Sequence, residues 1–164
     1  MTNARILELV DIFQDLKPQQ LELIYSICKE RLYSRGAIIV EENTPSTEMY
    51  VIIEGQVEVV VNPKKFEPGK QQDEFQHVAL LEKGQSFGEV ALVDQGLRSA
   101  SVRCLSETCR VFVISRKDFM DIIRKDMELG FIVMSNLAAD LCLKIRQTSF
   151  LVREKLLYSP SRES

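Results

Sequence analysis

The chain has 164 residues, the size of one ordinary domain, and its composition is that of a folded globular protein. A hydrophobic fraction of 45% and a charged fraction of 27% exclude a disordered tail and a fibrous repeat. The net charge of −3 is opposite in sign to the basic surface that nucleic acids require, so direct DNA binding is not expected. No apolar run approaches the roughly 18 residues of a membrane span, and no signal-peptide core follows the N-terminus, so we predict a cytoplasmic protein without membrane contact.

Residues that carry metal or nucleophilic chemistry are few and scattered. The cysteines are Cys28, Cys104, Cys109 and Cys142. Because they form no CxxC pair, reduced thiols are favoured over disulfides or a metal site. His77 is the only histidine, so a Ser-His or Cys-His catalytic arrangement would depend on one residue in a polar segment. We therefore predict no catalytic residue, no metal and no cofactor, and a protein that is not an enzyme.

Amphipathic helices are predicted at the start of the chain, within residues 4–34. The apolar positions that share a helical face are Ile6, Val10 and Phe13, followed by Leu21, Ile24 and Cys28. Pro18 suits the first position of the second helix, because its missing N–H would have no partner there.

From residue 36 the pattern changes to short β-branched segments separated by turn residues. These segments are 37–40, 49–53, 56–61, 78–81, 99–104 and 110–114. Their close, regular spacing predicts a small antiparallel β-barrel or sandwich over residues 36–115. The connection 62–77 is long and rich in charge, proline and glycine; it fits either a solvated loop or a docking segment, and we assign it no function.

A helix pair is predicted over residues 116–158. Ser115 precedes Asp118 at the spacing of a helix N-cap, and from about Met127 to Tyr158 apolar residues recur three and four apart. This seam contains Phe131, Met134, Ala138, Leu141, Ile145, Thr148 and Val152, and a second apolar set contains Ile132, Ala139 and Leu143. Two interpretations stay open: the seam joins another helix, or both stripes cover the core.

The segment that carries chemistry is Phe87-Gly88-Glu89-Val90-Ala91-Leu92, followed after a short loop by Arg98-Ser99-Ala100. Glycine allows the backbone to approach a ligand, and a helical turn after it would present N–H groups to an anion. Arg98 can fold back over that turn because Gly96 lies in the loop, and its planar fork matches two phosphate oxygens. The pattern therefore predicts a phosphate site.

Glu89 does not suit a purely anionic ligand, because its carboxylate would repel phosphate. It suits a ligand that also carries a hydroxyl donor, such as a ribose 2′-OH, and phosphate with ribose indicates a nucleotide. Taken singly, these residues have plainer explanations: an exposed Glu89–Arg98 ion pair, a turn glycine at 88 and a surface hydroxyl at Ser99.

Taken together, the two motifs resemble the phosphate-binding cassette of the cyclic nucleotide-binding domain family, whose pattern is Phe-Gly-Glu-x-Ala-Leu followed by Arg-Ser/Thr-Ala. The resemblance spans about residues 5–157 and is strongest to the sensory half of bacterial cyclic AMP receptor proteins, without their DNA-binding domain. Asn43 stands where that family often has glycine. The resemblance implies a single α+β domain over residues 1–164: an eight-stranded antiparallel, jelly-roll-like β-roll flanked by N-terminal helices and a C-terminal helix pair.

The resemblance also implies a function. Arg98 would neutralise the phosphate of a cyclic mononucleotide, with cyclic AMP favoured over cyclic GMP, and Glu89 would hold the 2′-OH. Backbone contacts would come from Gly88, Ala91 and Leu92. Ser99 would either assist in binding the phosphate or contact a syn purine, and Phe87, Val90 and Ala100 would complete the site. The purine would contact the last helix, either at Thr148 or, one turn earlier, at Lys144 and Ile145.

Signalling would follow from movement of the C-terminal helices, either in a homodimer formed through the last helix or toward an effector protein. The alternative is a partner-binding scaffold whose nucleotide site is degenerate or unused.

Overall fold

The computed structural model describes residues 3–62 and 75–158, in which two four-stranded antiparallel sheets are flanked by helices. Residues 63–74, most of the connection expected as a loop, lie outside the described residues. Two 3-10 helices, Asn3–Leu9 and Asp11–Phe13, open the described chain. The helices are α1 (Pro18–Ser26), α2 (Arg116–Lys125) and α3 (Met127–Tyr158). The strands are β1 (Lys29–Ser34), β2 (Ile38–Val40), β3 (Glu48–Glu54), β4 (Gln56–Val61), β5 (Gln76–Glu82), β6 (Ser86–Phe87), β7 (Ser101–Cys104) and β8 (Thr108–Ser115).

The strands pair as β1-β8-β3-β6 in one sheet and β2-β7-β4-β5 in the other. This arrangement confirms the predicted α+β class and the antiparallel β-roll. In the first sheet, Tyr50 of β3 lies opposite Val113 of β8 on one side and opposite Phe87 of β6 on the other. The register therefore places an aromatic residue of a central strand beside the first residue of the candidate cassette.

Strand β1 corrects the expectation of helices throughout residues 4–34. Lys29–Ser34 pairs along its whole length with β8, from Lys29 opposite Val113 to Ser34 opposite Thr108. The strand is polar and exposed, so it carries neither a helical nor an alternating apolar pattern, and only its pairing partner decides its conformation. The first apolar residues of the chain are buried as expected, although residues 3–13 form 3-10 helices.

β3 divides the core because its side chains alternate between two apolar clusters. Met49, Val51 and Ile53 pack against the helices, in a cluster with Phe13, Phe112, Phe119 and Leu129. Tyr50 and Ile52 face the interior of the roll, in a cluster with Val57, Phe87 and Val111. A central strand buried on both faces gives the candidate site a rigid floor.

Asn43 adopts a left-handed backbone conformation, with φ of 64°. Glycine adopts this conformation without strain and asparagine tolerates it better than most other residues. The geometry thus explains why asparagine can stand at the position where the sequence departs from the expected glycine.

The C-terminal helices begin where the sequence predicts. The Ser115 hydroxyl accepts a hydrogen bond from the Asp118 backbone N–H at 3.1 Å and caps α2. α3 packs on the domain through Leu129, Val133 and Leu137, which lie outside both predicted stripes, and partly through the stripe residues Ile132, Met134 and Leu141. The predicted seam is instead largely open: Phe131, Ala138, Ile145 and Val152, seven residues apart, are exposed. No helix among the described residues is long and apolar enough to cross a membrane.

Candidate functional site

The cassette forms the short helical turn that its sequence predicts. Glu89–Leu92 is a 3-10 helix, and Gly88 caps it with a left-handed φ of 73°. The Ala91 N–H donates to the Gly88 carbonyl at 3.0 Å, and Leu92 is buried in the cluster beneath the helices. Because Ala91 and Leu92 are buried, they anchor the turn to the domain, and the position of its residues is thereby fixed.

Arg98 folds back across this turn, so that its guanidinium lies beside Gly88. Its Nη2 donates to the backbone carbonyl of Glu48 at 2.6 Å, and its guanidinium carbon lies 5.7 Å from the centre of the Tyr50 ring. That ring stacks on Phe87, with centroids 4.9 Å apart and planes 7° apart. The start of β3 and two stacked aromatic rings therefore fix the position of the guanidinium.

The other end of the guanidinium lacks a partner. Arg98 is only 8% exposed, and its Nη1 is buried without a hydrogen bond among the described residues. A Cβ added to Gly88 would lie 2.5 Å from Nη1, so the guanidinium occupies space that only glycine leaves open. Desolvation lowers the pKa of Arg98, but a guanidinium stays protonated at neutral pH. A buried cation with an open donor favours an anionic ligand.

Arg98 helps to line a cavity of about 340 Å³. Its volume is in the lower part of the range for small-molecule sites, about 300–1,000 Å³. It is lined by Ser46, Gly88, Glu89, Val90, Asp94, Gly96, Leu97, Arg98 and Ser99. The structure thus brings five of the expected site residues together: Gly88, Glu89, Val90, Arg98 and Ser99. Phe87, Ala91 and Leu92 are buried and support the turn, whereas Ala100 does not line the cavity.

Glu89 is 7% exposed and forms an ion pair with Lys144 of α3. Lys144 Nζ also contacts Asp140 Oδ2 at 2.7 Å. Desolvation lowers the pKa of Lys144, but hydrogen bonds to Asp140 and Glu89 outweigh it, so the net shift is upward and the ammonium is retained. The plain alternative of an exposed Glu89–Arg98 pair is wrong, because both side chains are buried and each has another partner.

The structure does not bring Thr148 to the cavity. Its hydroxyl donates to the Lys144 carbonyl at 2.9 Å, within its own helix, and its side chain is exposed. Lys144, the alternative position one turn earlier, is the residue that reaches the cassette. Sequence reasoning missed Glu48, Tyr50 and Asp140; Glu48 contributes a backbone carbonyl, which no sequence pattern marks. Among residues 3–62 and 75–158, no group of three His, Cys, Asp or Glu side chains could hold a metal ion.

Comparisons with known proteins agree with this geometry. The family model described as cyclic nucleotide-binding domain matches residues 30–126. The cyclic AMP receptor protein of Thermus thermophilus is 30% identical over 136 residues, which are 83% of this chain and 57% of that protein. The cGMP-dependent protein kinase, isozyme 2 forms cD5/T2, of Drosophila melanogaster is 34% identical over 120 residues, 71% of this chain and 12% of the kinase.

A solved structure gives the same result for the fold. The crystal structure of the Thermus thermophilus catabolite activator protein superposes with a TM-score of 0.73 and 29% sequence identity, covering 87% of this chain and 62% of that one. The chain therefore spans less than two thirds of the length of each of these relatives. Since the family model covers more than half of the chain, and the β-roll and flanking helices match a solved relative, the chain belongs to the cyclic nucleotide-binding domain family.

Proposed function

We propose that this chain is a non-catalytic receptor for a cyclic mononucleotide that signals through its C-terminal helices. The observation that supports this most strongly is the Arg98 guanidinium, which lines a cavity, is buried, donates a hydrogen bond through Nη2 and has no partner at Nη1 among the described residues. Leaving a charged donor buried and unpaired is costly, so the ligand must return a hydrogen bond and a negative charge. A cyclic phosphate provides both.

The cavity walls support the assignment of the remaining ligand groups. Arg98 neutralises the cyclic phosphate, the Gly88–Leu92 turn contributes backbone contacts, and Ser99 adds a hydroxyl donor. Glu89 accepts a hydrogen bond from the ribose 2′-OH. Phe87 acts indirectly, because its ring supports the Tyr50 ring over which Arg98 lies. Thr148 does not line the cavity, so its contact with the purine requires α3 to move.

The response passes to α3, and its exposed seam favours a second copy of the chain as partner. Phe131 is 74% exposed and Ile145 is 65% exposed, and both belong to the seven-residue series that continues through Ala138 and Val152. Such a repeat is typical of helices that pair in a coiled coil. We propose that α3 forms a homodimer along this seam and that ligand binding changes its packing.

The two related proteins described above are named for cyclic AMP and for cGMP, respectively, so both nucleotides must be tested. We favour cyclic AMP from the stronger resemblance of the cassette to bacterial cyclic AMP receptors.

The test is isothermal titration of nucleotide-free protein with cyclic AMP, cyclic GMP and, as a control, 5′-AMP. We expect saturable binding of one cyclic nucleotide per chain, tighter for cyclic AMP, and weak or no binding of 5′-AMP. A ligand at 100 times its dissociation constant should also stabilise the fold by about 2.7 kcal/mol. No binding of either cyclic nucleotide would contradict the proposal and leave the scaffold alternative.

A further inference from the structure

Lys144 makes the last polar contact between α3 and the rest of the domain among the described residues. Earlier on the helix, Asn136 donates to the Gln14 carbonyl at 2.8 Å, and Leu141 packs partly against the core. Beyond Leu141, every side chain that the structure describes in α3 is exposed. The Lys144–Glu89 ion pair is therefore the point at which the distal half of α3 is fastened to the cassette.

The two carboxylate oxygens of Glu89 differ in their partners among the described residues, because Lys144 contacts one of them. Its ammonium contacts Glu89 Oε1 on the cassette and Asp140 Oδ2 on its own helix. Asp11, on the second 3-10 helix, lines the same cavity of about 260 Å³ as Asp140 and Lys144. Glu89 Oε2 has no hydrogen-bond partner among the described residues. One oxygen of Glu89 is thus committed to α3 while the other can still accept a hydrogen bond.

We infer that Lys144 is a positioning residue of the ligand site, which holds Glu89 by one oxygen, leaves the other for a ligand hydroxyl and thereby couples ligand binding to docking of α3. The inference rests on the proposed function and adds how that site is regulated. Lys144 also offsets the carboxylate charge that would otherwise repel the ligand's phosphate. Because coupling is reciprocal, a ligand that needs Glu89 in this position stabilises the contact between α3 and the cassette.

The opposite arrangement, in which the ligand hydroxyl displaces Lys144, fits the chemistry less well. A hydroxyl can donate one hydrogen bond to Glu89 but carries no charge to replace that of the ammonium. Displacement would leave a buried carboxylate beside the incoming phosphate. The two arrangements predict opposite signs: loss of Lys144 weakens ligand binding if the lysine stays, and strengthens it if the lysine must leave.

The test is titration of the full chain with the cyclic nucleotide that the wild type binds, using Lys144→Ala, Lys144→Arg and the control Lys125→Ala, an exposed lysine at the end of α2. We expect Lys144→Ala to weaken binding by about 5- to 50-fold, within the usual range of coupling. Lys144→Arg should restore most of the affinity, and Lys125→Ala should bind like the wild type. In a Glu89→Gln background, Lys144→Ala should have little further effect, because the partner is already lost.

Hydrogen exchange separates failure of this inference from failure of the proposed function. In ligand-free protein, amides of residues 142–157 should exchange faster in Lys144→Ala than in the wild type, and ligand should slow them only in the wild type. If the wild type binds the cyclic nucleotide and Lys144→Ala binds it equally tightly or more tightly, the inference is wrong and the proposed receptor function stands. If the wild type binds no cyclic nucleotide, the proposed receptor function is wrong. If hydrogen exchange in ligand-free Lys144→Ala is the same as in the wild type, Lys144 does not hold α3 on the cassette, and the inference is wrong as well.

Discussion

The cassette and the distal half of α3 are held in very different ways. The cassette is fixed from several sides: its inner residues are buried, Arg98 is bonded to the start of β3, and two stacked rings support that arginine. Beyond Leu141, α3 presents exposed side chains and is fastened to the cassette by Lys144. Segments with few buried contacts open at low free energy, whereas core-anchored turns do not. In the proposed receptor, the cassette is the preformed recognition element and the distal part of α3 is the element that moves in response.

The largest expected effect is a loss of ligand affinity at the cassette when Arg98 is replaced. Arg98→Ala removes the donor that we assign to the phosphate, and loss of one partner of a buried charge pair costs about 2–5 kcal/mol. Since about 1.4 kcal/mol corresponds to tenfold in affinity, we expect cyclic nucleotide binding to fall by at least about 30-fold. Titration calorimetry measures the loss.

The matched control is Arg124→Ala, which removes an exposed arginine whose ion pair among the described residues is with Asp121 on the same helix. It should bind like the wild type. Far-ultraviolet circular dichroism and thermal unfolding establish that each variant is folded. A folded Arg98→Ala protein with unchanged affinity would show that Arg98 does not hold the ligand.

The second prediction tests whether residue 88 must be glycine because the Arg98 guanidinium occupies the space where a side chain would lie. A left-handed alanine costs about 1–2 kcal/mol at either Gly88 or Gly36, which have φ of 73° and 81°. Only at Gly88 would the new Cβ collide with the guanidinium; at Gly36 no atom of the residues that the structure describes lies within 4 Å. We expect both Gly→Ala variants to lose stability, but only Gly88→Ala to lose ligand affinity, by about tenfold or more. Equal affinity of the two would contradict the account of the cassette.

The third prediction concerns α3 and tests whether its exposed seam forms the contact between two copies of the chain. Phe131→Glu places a charge in the exposed seam of α3, where a partner helix would bury it. We expect self-association, measured by sedimentation equilibrium, to weaken by at least about tenfold, since burial of an unpaired charge costs more than 1.4 kcal/mol. Glu89 and Arg98 are untouched, so the monomer should still bind ligand. An unchanged association constant would place the interface elsewhere.

The smallest effect is expected at Tyr50, whose hydroxyl donates to Glu48 Oε2 at 3.0 Å. Tyr50→Phe keeps the stacking on Phe87 and should cost about 1–2 kcal/mol of unfolding free energy. Desolvation, together with Glu48, raises the pKa of Tyr50 to about 12. Its protonated form is therefore favoured in the folded state, so stability should fall as pH rises from about 10 toward 12. Denaturant titrations should show a shallower fall in Tyr50→Phe; an equal fall would contradict this assignment.

The sequence predicts the cassette better than the rest of the site because a short motif fixes both backbone and chemistry. Gly88 demands a left-handed turn, and the spacing to Arg98 permits only a short return loop. Glu48 could not be predicted, because its contribution is a carbonyl oxygen whose position depends on strand pairing. Strand β1 was not predicted either, because a polar edge strand has no periodic pattern of apolar residues and its conformation also depends on strand pairing.

In α3 the sequence predicts the helix but not which stripe packs. The buried positions Leu129, Val133 and Leu137 follow a four-residue spacing near the start, whereas the seam residues spaced seven apart, Phe131, Ala138, Ile145 and Val152, stay exposed. Both patterns are apolar and helical, so only the position of the roll decides between them. The choice between Thr148 and Lys144 depends on the same rotation of the helix.

The most direct test of the central claim is a crystal structure of the protein with cyclic AMP bound. We predict a phosphate oxygen within about 3.2 Å of Arg98 Nη1, which is hydrogen-bonding distance, and the ribose 2′-OH on Glu89. A nucleotide bound elsewhere on the domain, with Arg98 Nη1 still lacking a partner, would contradict the account.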